Sequence, residues 1–408
     1  MTSDQRFTVD SEVGRLREVI VHRPGSELSR LTPTNVDALL FDDVMWADRA
    51  RDEHDLFAKQ LVDRGVTVHH FADLLAEALE ADGARDFLAS RLATPERFGP
   101  MLSGAVAELV RTYPAAELAD VLIGGLTKRD VGAWLTTPSL LLRSASPDDF
   151  ILAPLPNHLF QRDNSAWIYG AVSVNPMAKE ARQRETINSR VVYNFHPMFR
   201  AAPPTFLYGN DSAVHVPATV EGGDVAVVGH RTVMVGMGER TTPQGVEALS
   251  QRLFETGTAE RVIVVELPKS RAFMHLDTAL TQVDRDAYSV YPYLPDTLRS
   301  WHVTPEYGGL AFHENDDLFR ELSYALQVDQ VRVLKVPMDR RAAEREQWDD
   351  GNNFLAVEPG VVLGYECNTT TNRYLSDHGI TVLPVVGSEL GRGRGGPRCM
   401  TCPISREA

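Results

Sequence analysis

Cysteine is scarce: the chain of 408 residues has three, Cys367, Cys399 and Cys402. So few thiols exclude a disulfide-built scaffold and suit a reducing compartment, and a cytoplasmic location is expected. They also fall short of a closed zinc site, which needs four ligands. Cys399 and Cys402 form a CxxC, but Pro403 follows at once, where a thioredoxin-type motif needs a helix. Long apolar runs are missing too. No stretch reaches the roughly 18 uninterrupted apolar residues of a membrane-spanning helix, and the opening MTSDQRFTVDSEVG has neither the basic start nor the apolar core of a secretion signal. Positive charge is the third shortage: Lys and Arg number 41 against 56 Asp and Glu, a net charge of -15. Such a chain repels nucleic acid and anionic membranes, so neither is expected as a partner, whereas a small cationic substrate is attracted.

What is present is a chain with enough apolar residues, 43%, to bury a sizeable core. A strand from Leu16 to Val21 is stopped by Pro24 and Gly25. A helix is expected from about Asp48 to Arg64, with Leu56, Phe57 and Leu61 near one face and Gly65 as a left-handed cap, followed by a strand from Val66 to Phe71. From Asp73 to about Leu135 the apolar residues recur at helical spacing, as in Leu75, Ala78 and Leu79, with Thr94 and Pro95 as a helix start and Gly124 and Gly125 as a break. This predicts an all-helical insert over 73–140, between a first part over 1–72 and a remainder over 141–408. The remainder repeats itself. RDNSAWIYGAVSVN from Arg162, EGGDVAVVGHRTVMVG from Glu221, HLDTALTQVDRDAYSVY from His275 and DDGNNFLAVEPGVVLGY from Asp349 each set acidic or amide residues before two apolar runs across a turn. With the N-terminal unit this makes five units of an α/β fold, the mark of a radial or stacked repeat, and a five-bladed arrangement places the polar starts around one axis.

The stretch GRGRGGPRCMTCPISREA concentrates chemistry. Its glycines let the backbone pass close to a ligand, and Arg394 and Arg398 set positive charge near Cys399, which is read as a nucleophile; Cys402 is read as packing. Around one axis, Asp163, Glu221 and Asp277 meet His275 and Cys399. A cysteine beside a histidine on its own suggests acyl transfer. Three carboxylates decide against it, because an acyl oxyanion needs donors, whereas acceptors suit a planar cation such as a guanidinium.

These residues resemble the arginine deiminases of the guanidine-modifying pentein superfamily. The resemblance runs through LTPTNVDALLFDD near the start, NHLFQRDNS at 157–165, NPMAKEARQRET at 175–186, VEGGDV at 220–225, MGERT at 237–241, MHLDT at 274–278, EQWDDGNN at 346–353 and GRGGPRCMTCP at 393–403. It implies a five-bladed α/β propeller of ββαβ repeats with an inserted helical domain. It implies hydrolysis of L-arginine to L-citrulline and ammonia, with Cys399 as nucleophile forming an S-alkylthiouronium and His275 as acid and base. Asp163 and Asp277 then hold the guanidinium, with Glu221 next to His275. The same register assigns Arg182, Arg240 and Arg394 to the substrate carboxylate and Asn157 and Phe160 to the pocket. Gly396 falls near the turn into Cys399, and Leu40 and Asp224 also fall at the site. Arg182 is preferred over Arg184 by motif register alone. No metal or organic cofactor is implied, and a homo-oligomer, dimer or tetramer, is expected. Arg398 departs from relatives with histidine there. The alternatives are an agmatine deiminase, a dimethylarginine hydrolase, an amidinotransferase, or a non-catalytic relative that binds arginine.

Overall fold

The structure, a computed structural model, describes residues 6–132, 137–208, 216–295 and 298–407. Its recurring element is a three-stranded sheet. Two antiparallel strands meet across a tight turn, a helical crossover follows, and a third strand lies parallel to the second, since parallel neighbours need such a crossover. Ser165–Ile168, Ala171–Val174 and Thr205–Phe206 form one such unit around helix Glu180–Phe195. Val225–Gly229, Thr232–Met237 and Arg261–Glu266 form the next around helix Pro243–Glu255. Leu280–Asp284, Ala287–Val290 and Arg332–Lys335 follow, with helix Leu318–Leu326. Then come Leu355–Glu358, Val361–Tyr365 and Thr381–Val385, with helix Thr369–Asp377.

The remaining unit joins the two ends of the chain. Thr401–Arg406 pairs antiparallel with Leu16–Val21, setting Val21 opposite Thr401 and Ile20 opposite Cys402. Leu16–Val21 is then parallel to Thr67–His70 across helix Ala47–Val62. Strands such as Arg261–Glu266 read as continuous apolar runs because both faces are covered, and its four central residues are buried. A hairpin, Ser300–Glu306 with Gly309–Glu314, widens the Val225 sheet to five strands. Among the described residues no sheet closes on itself.

The turns that open these five units touch one another in order. The N–H of Arg162 donates to the carbonyl of Cys399 at 3.0 Å. The N–H of Gly223 donates to Oδ1 of Asp163 at 3.1 Å, and that of Leu276 to Oδ1 of Asp224 at 2.8 Å. Asn353 Nδ2 donates to the carbonyl of Asp277 at 3.2 Å, and Asn353 Oδ1 accepts from the N–H groups of Arg398 and Cys399 at 3.0 and 3.1 Å. The polar starts of all five units are thereby held together at one end of the sheets.

Helices Phe71–Leu79, Ala84–Leu92, Pro95–Thr112, Ala115–Gly124 and Lys128–Val131 follow the first unit. The expected apolar faces bury Leu75, Ala78 and Leu79, then Leu118 and Leu122. Their core is continuous with the sheets, since Leu75 and Leu118 share one cluster with Trp167 and Val264. Gly65 and Gly125 take the left-handed φ, 79° and 77°, that lacking a Cβ makes cheap. Three local expectations need correction. Leu56 lies 47% exposed, and the inward face of its helix is Ala50, Glu53, His54, Phe57 and Leu61. Phe71 opens a helix instead of ending a strand. The segment expected to be all-helical contains a short strand, Leu126–Thr127, paired antiparallel with Phe150–Leu152, whereas Thr94 and Pro95 do start a helix. Residues 133–136, within the expected insert, lie outside the described residues.

Candidate active site

Each unit brings its polar residues to the site by the same local device: a short turn ends directly before the first strand. Asp163 precedes the strand at Ser165, Gly223 the strand at Val225, Asn353 the strand at Leu355 and Cys399 the strand at Thr401, each by two positions; Asp277 precedes Leu280 by three. The strands are rigid, so the turns are fixed relative to one another.

Leu40, Asn157, Phe160, Asp163, Arg182, Arg240, His275, Arg394 and Cys399 line one recess together with Asp42, Arg271, Met274, Thr278 and Gly393. The other residues singled out in the sequence stand behind this wall. Sγ of Cys399 accepts from Nδ2 of Asn353 at 3.1 Å and lies 3.7 Å from Oδ2 of Asp277. Nε2 of His275 is 2.7 Å from Oε2 of Glu221, and its Nδ1 is 3.7 Å from Oδ1 of Asp163. Glu221 accepts in addition from Nη1 of Arg240 at 3.2 Å and from the N–H of Ala178 at 3.2 Å.

The carboxylates differ in how much of them is spent. Asp163 accepts from Nη1 of Arg182 at 2.6 Å and from the N–H of Gly223. Oδ2 of Asp277 accepts from Nη1 of Arg398 at 2.7 Å, while its Oδ1 is buried without a partner. Arg398 is itself held by Oε2 of Glu12 at 3.1 Å and by the carbonyl of Val225 at 2.8 Å. Asp224 receives Leu276 N–H and the Thr241 hydroxyl, so it braces the turn that carries His275 without lining the recess. Gly396 likewise lies outside the lining; a Cβ there would meet Asn353 at 2.7 Å, so glycine is what admits the asparagine.

The three arginines assigned to the substrate carboxylate are not equivalent. All three nitrogens of Arg182 donate already, to Asp163, to both oxygens of Glu185 at 2.8 and 2.9 Å, and to the carbonyl of Asn157 at 3.1 Å. These contacts make it a clamp on Asp163 more than a free reader of an anion. Arg240 keeps its Nε unpartnered, and Arg394 its Nε and Nη1. Arg184 donates to the carbonyls of Leu122 and Ala153 and so ties its helix to the helical segment, away from the recess.

Burial and charge set the protonation states. Burial alone would push His275 down, but Asp163, the hydrogen bond to Glu221 and the Asp224 charge outweigh it and raise the imidazole to about 9. Burial, followed by Asp277, Asp163 and Asp350, holds the Cys399 thiol well above the ordinary thiol range, with Arg398 opposing. Burial also raises Asp224 to about 7. Without substrate the pair is therefore a thiol beside an imidazolium. Asp163, Glu221 and His275 bring ligand atoms close enough to hold a metal ion, but Arg182 and Arg240 already sit on the two carboxylates.

Sequence reasoning missed Asn353, Glu12 and Glu185. Asn353 had a usable signal, since it occupies in the DDGNNFLAV block the place that Cys399 and Asp163 hold in theirs. Glu12 had none, because its partner Arg398 lies 386 positions away.

The sequence profile of the arginine deiminase family matches residues 37–406. Among solved structures, an amidinotransferase of the saxitoxin biosynthetic pathway from Microseira wollei superposes with a TM-score of 0.54 at 14% identity, covering 98% of each chain. Inosamine-phosphate amidinotransferase from Streptomyces griseus gives 0.54 at 15%, covering 99% of this chain and 98% of its own. A dimethylarginine dimethylaminohydrolase mutant from Pseudomonas aeruginosa, complexed with citrulline, gives 0.52 at 15%, covering 96% and 100%. These likenesses show the fold, the propeller-like α/β fold of the pentein guanidine-modifying enzymes. With its profile match running over nearly the whole sequence, the chain belongs to the arginine deiminase family.

Proposed function

We propose that this chain hydrolyses free L-arginine to L-citrulline and ammonia through a covalent S-alkylthiouronium on Cys399. The observation that carries the proposal is one recess whose lining joins two groups: a buried thiol, an imidazolium and the carboxylate of Asp163, and guanidinium groups, Arg240 and Arg394, that keep nitrogens without protein partners. The first group suits the planar cation of the substrate, held by Asp163 and, from beside Cys399, by the unspent oxygen of Asp277. The second suits its α-carboxylate, met by Arg394 and Arg240. We read the five units as blades of one propeller, supported by the ordered contacts of their turns, with the helical segment over 73–140 inserted between the first and second blades.

The substrate cation, seated against Cys399, offsets the carboxylates that keep the thiol protonated, and the thiol proton leaves to solvent. The thiolate attacks the guanidinium carbon to give a neutral tetrahedral adduct. His275, as imidazolium, protonates one amino group, the C–N bond breaks and ammonia departs, leaving the thiouronium. The neutral imidazole then takes a proton from a water that attacks the same carbon. Collapse forms the ureido carbonyl and breaks the C–S bond, the hydroxyl proton passing to the departing sulfur, so that the thiol and the imidazolium are both restored. Glu221 supports both halves by stabilising the imidazolium.

Acid quenching during turnover of guanidino-labelled arginine, with citrulline and ammonia assayed in parallel, tests this. Label on the Cys399 peptide of wild type and none in Cys399→Ser is expected. Transfer of the amidino group to an amine in place of ammonia release, or agmatine turning over as well as arginine, overturns it.

A further inference from the structure

Arg394 is placed unlike any other arginine of the recess. Its backbone takes a left-handed conformation, φ 61°, directly after the short turn Leu390–Gly393, a conformation that costs a non-glycine residue free energy and persists only where the surroundings hold it. Its residue is 4% exposed, yet among the described residues no carboxylate forms an ion pair with it, and its Nε and Nη1 donate to nothing. Burial pulls its pKa down, with Asp350 and Asp42 countering. Asp42, the candidate counter-ion that lines the recess, is committed to Arg271. What Arg394 does have is an aromatic face: its guanidinium carbon lies 3.6 Å from the ring centroid of Trp348, the last residue of helix Arg340–Trp348. Trp348 is itself 51% exposed and does not line the recess.

A guanidinium stacked flat on a ring is oriented without spending its N–H groups, which lie in its own plane. A carboxylate partner would orient it too, but would occupy the donors that a substrate anion needs. We propose that Trp348 is a positioning residue that presents Arg394 to the carboxylate of the substrate and thereby sets selectivity for carboxylate-bearing guanidines, without touching substrate itself. This rests on the functional reading above and adds to it a residue from outside the recess. The guanidinium end of the site is held by contacts that do not include Trp348: Asp163 by Arg182 and Gly223, His275 by Glu221, and Cys399 by Asn353.

The test is kinetic. In Trp348→Leu the KM for arginine should rise by about 5- to 30-fold, the range that a stacked cation–aromatic contact is worth, with kcat changed less than about threefold. Trp348→Phe, which keeps a ring, should recover most of the loss. The low kcat/KM for agmatine, which has no carboxylate, should stay unchanged in both variants. A KM for arginine left intact in Trp348→Leu, or a parallel loss on agmatine together with a lowered melting temperature, overturns the positioning role and leaves Trp348 as packing. Failure of the wild type to release citrulline and ammonia would instead sink the parent reading, and the two failures are separate.

Discussion

Asn353 grips Cys399 twice: its Nδ2 donates to Sγ at 3.1 Å and its Oδ1 accepts from the N–H of the same residue at 3.1 Å. A side-chain amide is suited to this because it offers a donor and an acceptor on one rigid plane. The same Oδ1 also accepts from Arg398 N–H, so one residue fixes both the nucleophile and the backbone before it.

Asn353→Ala should therefore lower kcat by about 10- to 100-fold with little change in KM, since a misplaced nucleophile costs rate more than binding. Asn353→Asp, of the same shape, should be worse than Ala, because it sets a further carboxylate against a sulfur already facing Asp277. Steady-state kinetics on arginine with both variants checks this; Asp equal to wild type would refute the donor role.

Gly223 sits where a Cβ would come within 2.7 Å of Nδ1 of His275 and 2.9 Å of Oδ1 of Asp163. Gly223→Ala must push the imidazole aside. Activity should fall by about 100-fold while the melting temperature changes far less than in a comparable core substitution, a contrast that kinetics and calorimetry on one preparation will read.

His275 is raised from 6.5 to about 9 by its carboxylate neighbours. A cation held more tightly when folded contributes stability that is fully present below pH 6.5 and is lost as pH rises through about 9. The melting-temperature advantage of wild type over His275→Gln should shrink across that window, and the imidazole should titrate near 9 by NMR. A titration near 6.5 would contradict the assigned geometry.

Glu12 moves the other way. Burial opposes its ionisation, but Arg398, Arg162 and Arg406 overcome this and lower it to about 2. Its contribution should be complete above pH 4.5 and disappear as pH falls toward 2. Near pH 7, Glu12→Gln should cost roughly 3–5 kcal/mol, as breaking a buried ion pair does, with the difference narrowing in acid when unfolding is followed by denaturant titration.

Much of this was legible in the chain because the relevant signals are local. The strand Leu16–Val21, the left-handed Gly65 and the helix starting at Pro95 follow from residues within a few positions of one another. Asp163, Glu221 and His275 could be singled out because acidic residues and a histidine stand at the starts of repeated blocks, and Cys399 because it lies in a stretch dense in glycine and arginine. What stayed hidden depends on distance across the fold. Nothing near Glu12 announces Arg398, and nothing in ARQRE distinguishes Arg182, which faces Asp163, from Arg184, which points two positions away at the carbonyls of Leu122 and Ala153. The stack of Trp348 on Arg394 is likewise a product of where two units meet.

The pairing of Val21 with Thr401 bears on when the chemistry can exist at all. Cys399 leads into a strand whose only registered partner among the described residues, Leu16–Val21, lies some 380 residues earlier, so its position is settled by a pairing of very long sequence separation. Units with local pairings can form first and wait. A chain clipped of either strand is therefore expected to keep those local pairings while losing the one that holds the turn of Cys399.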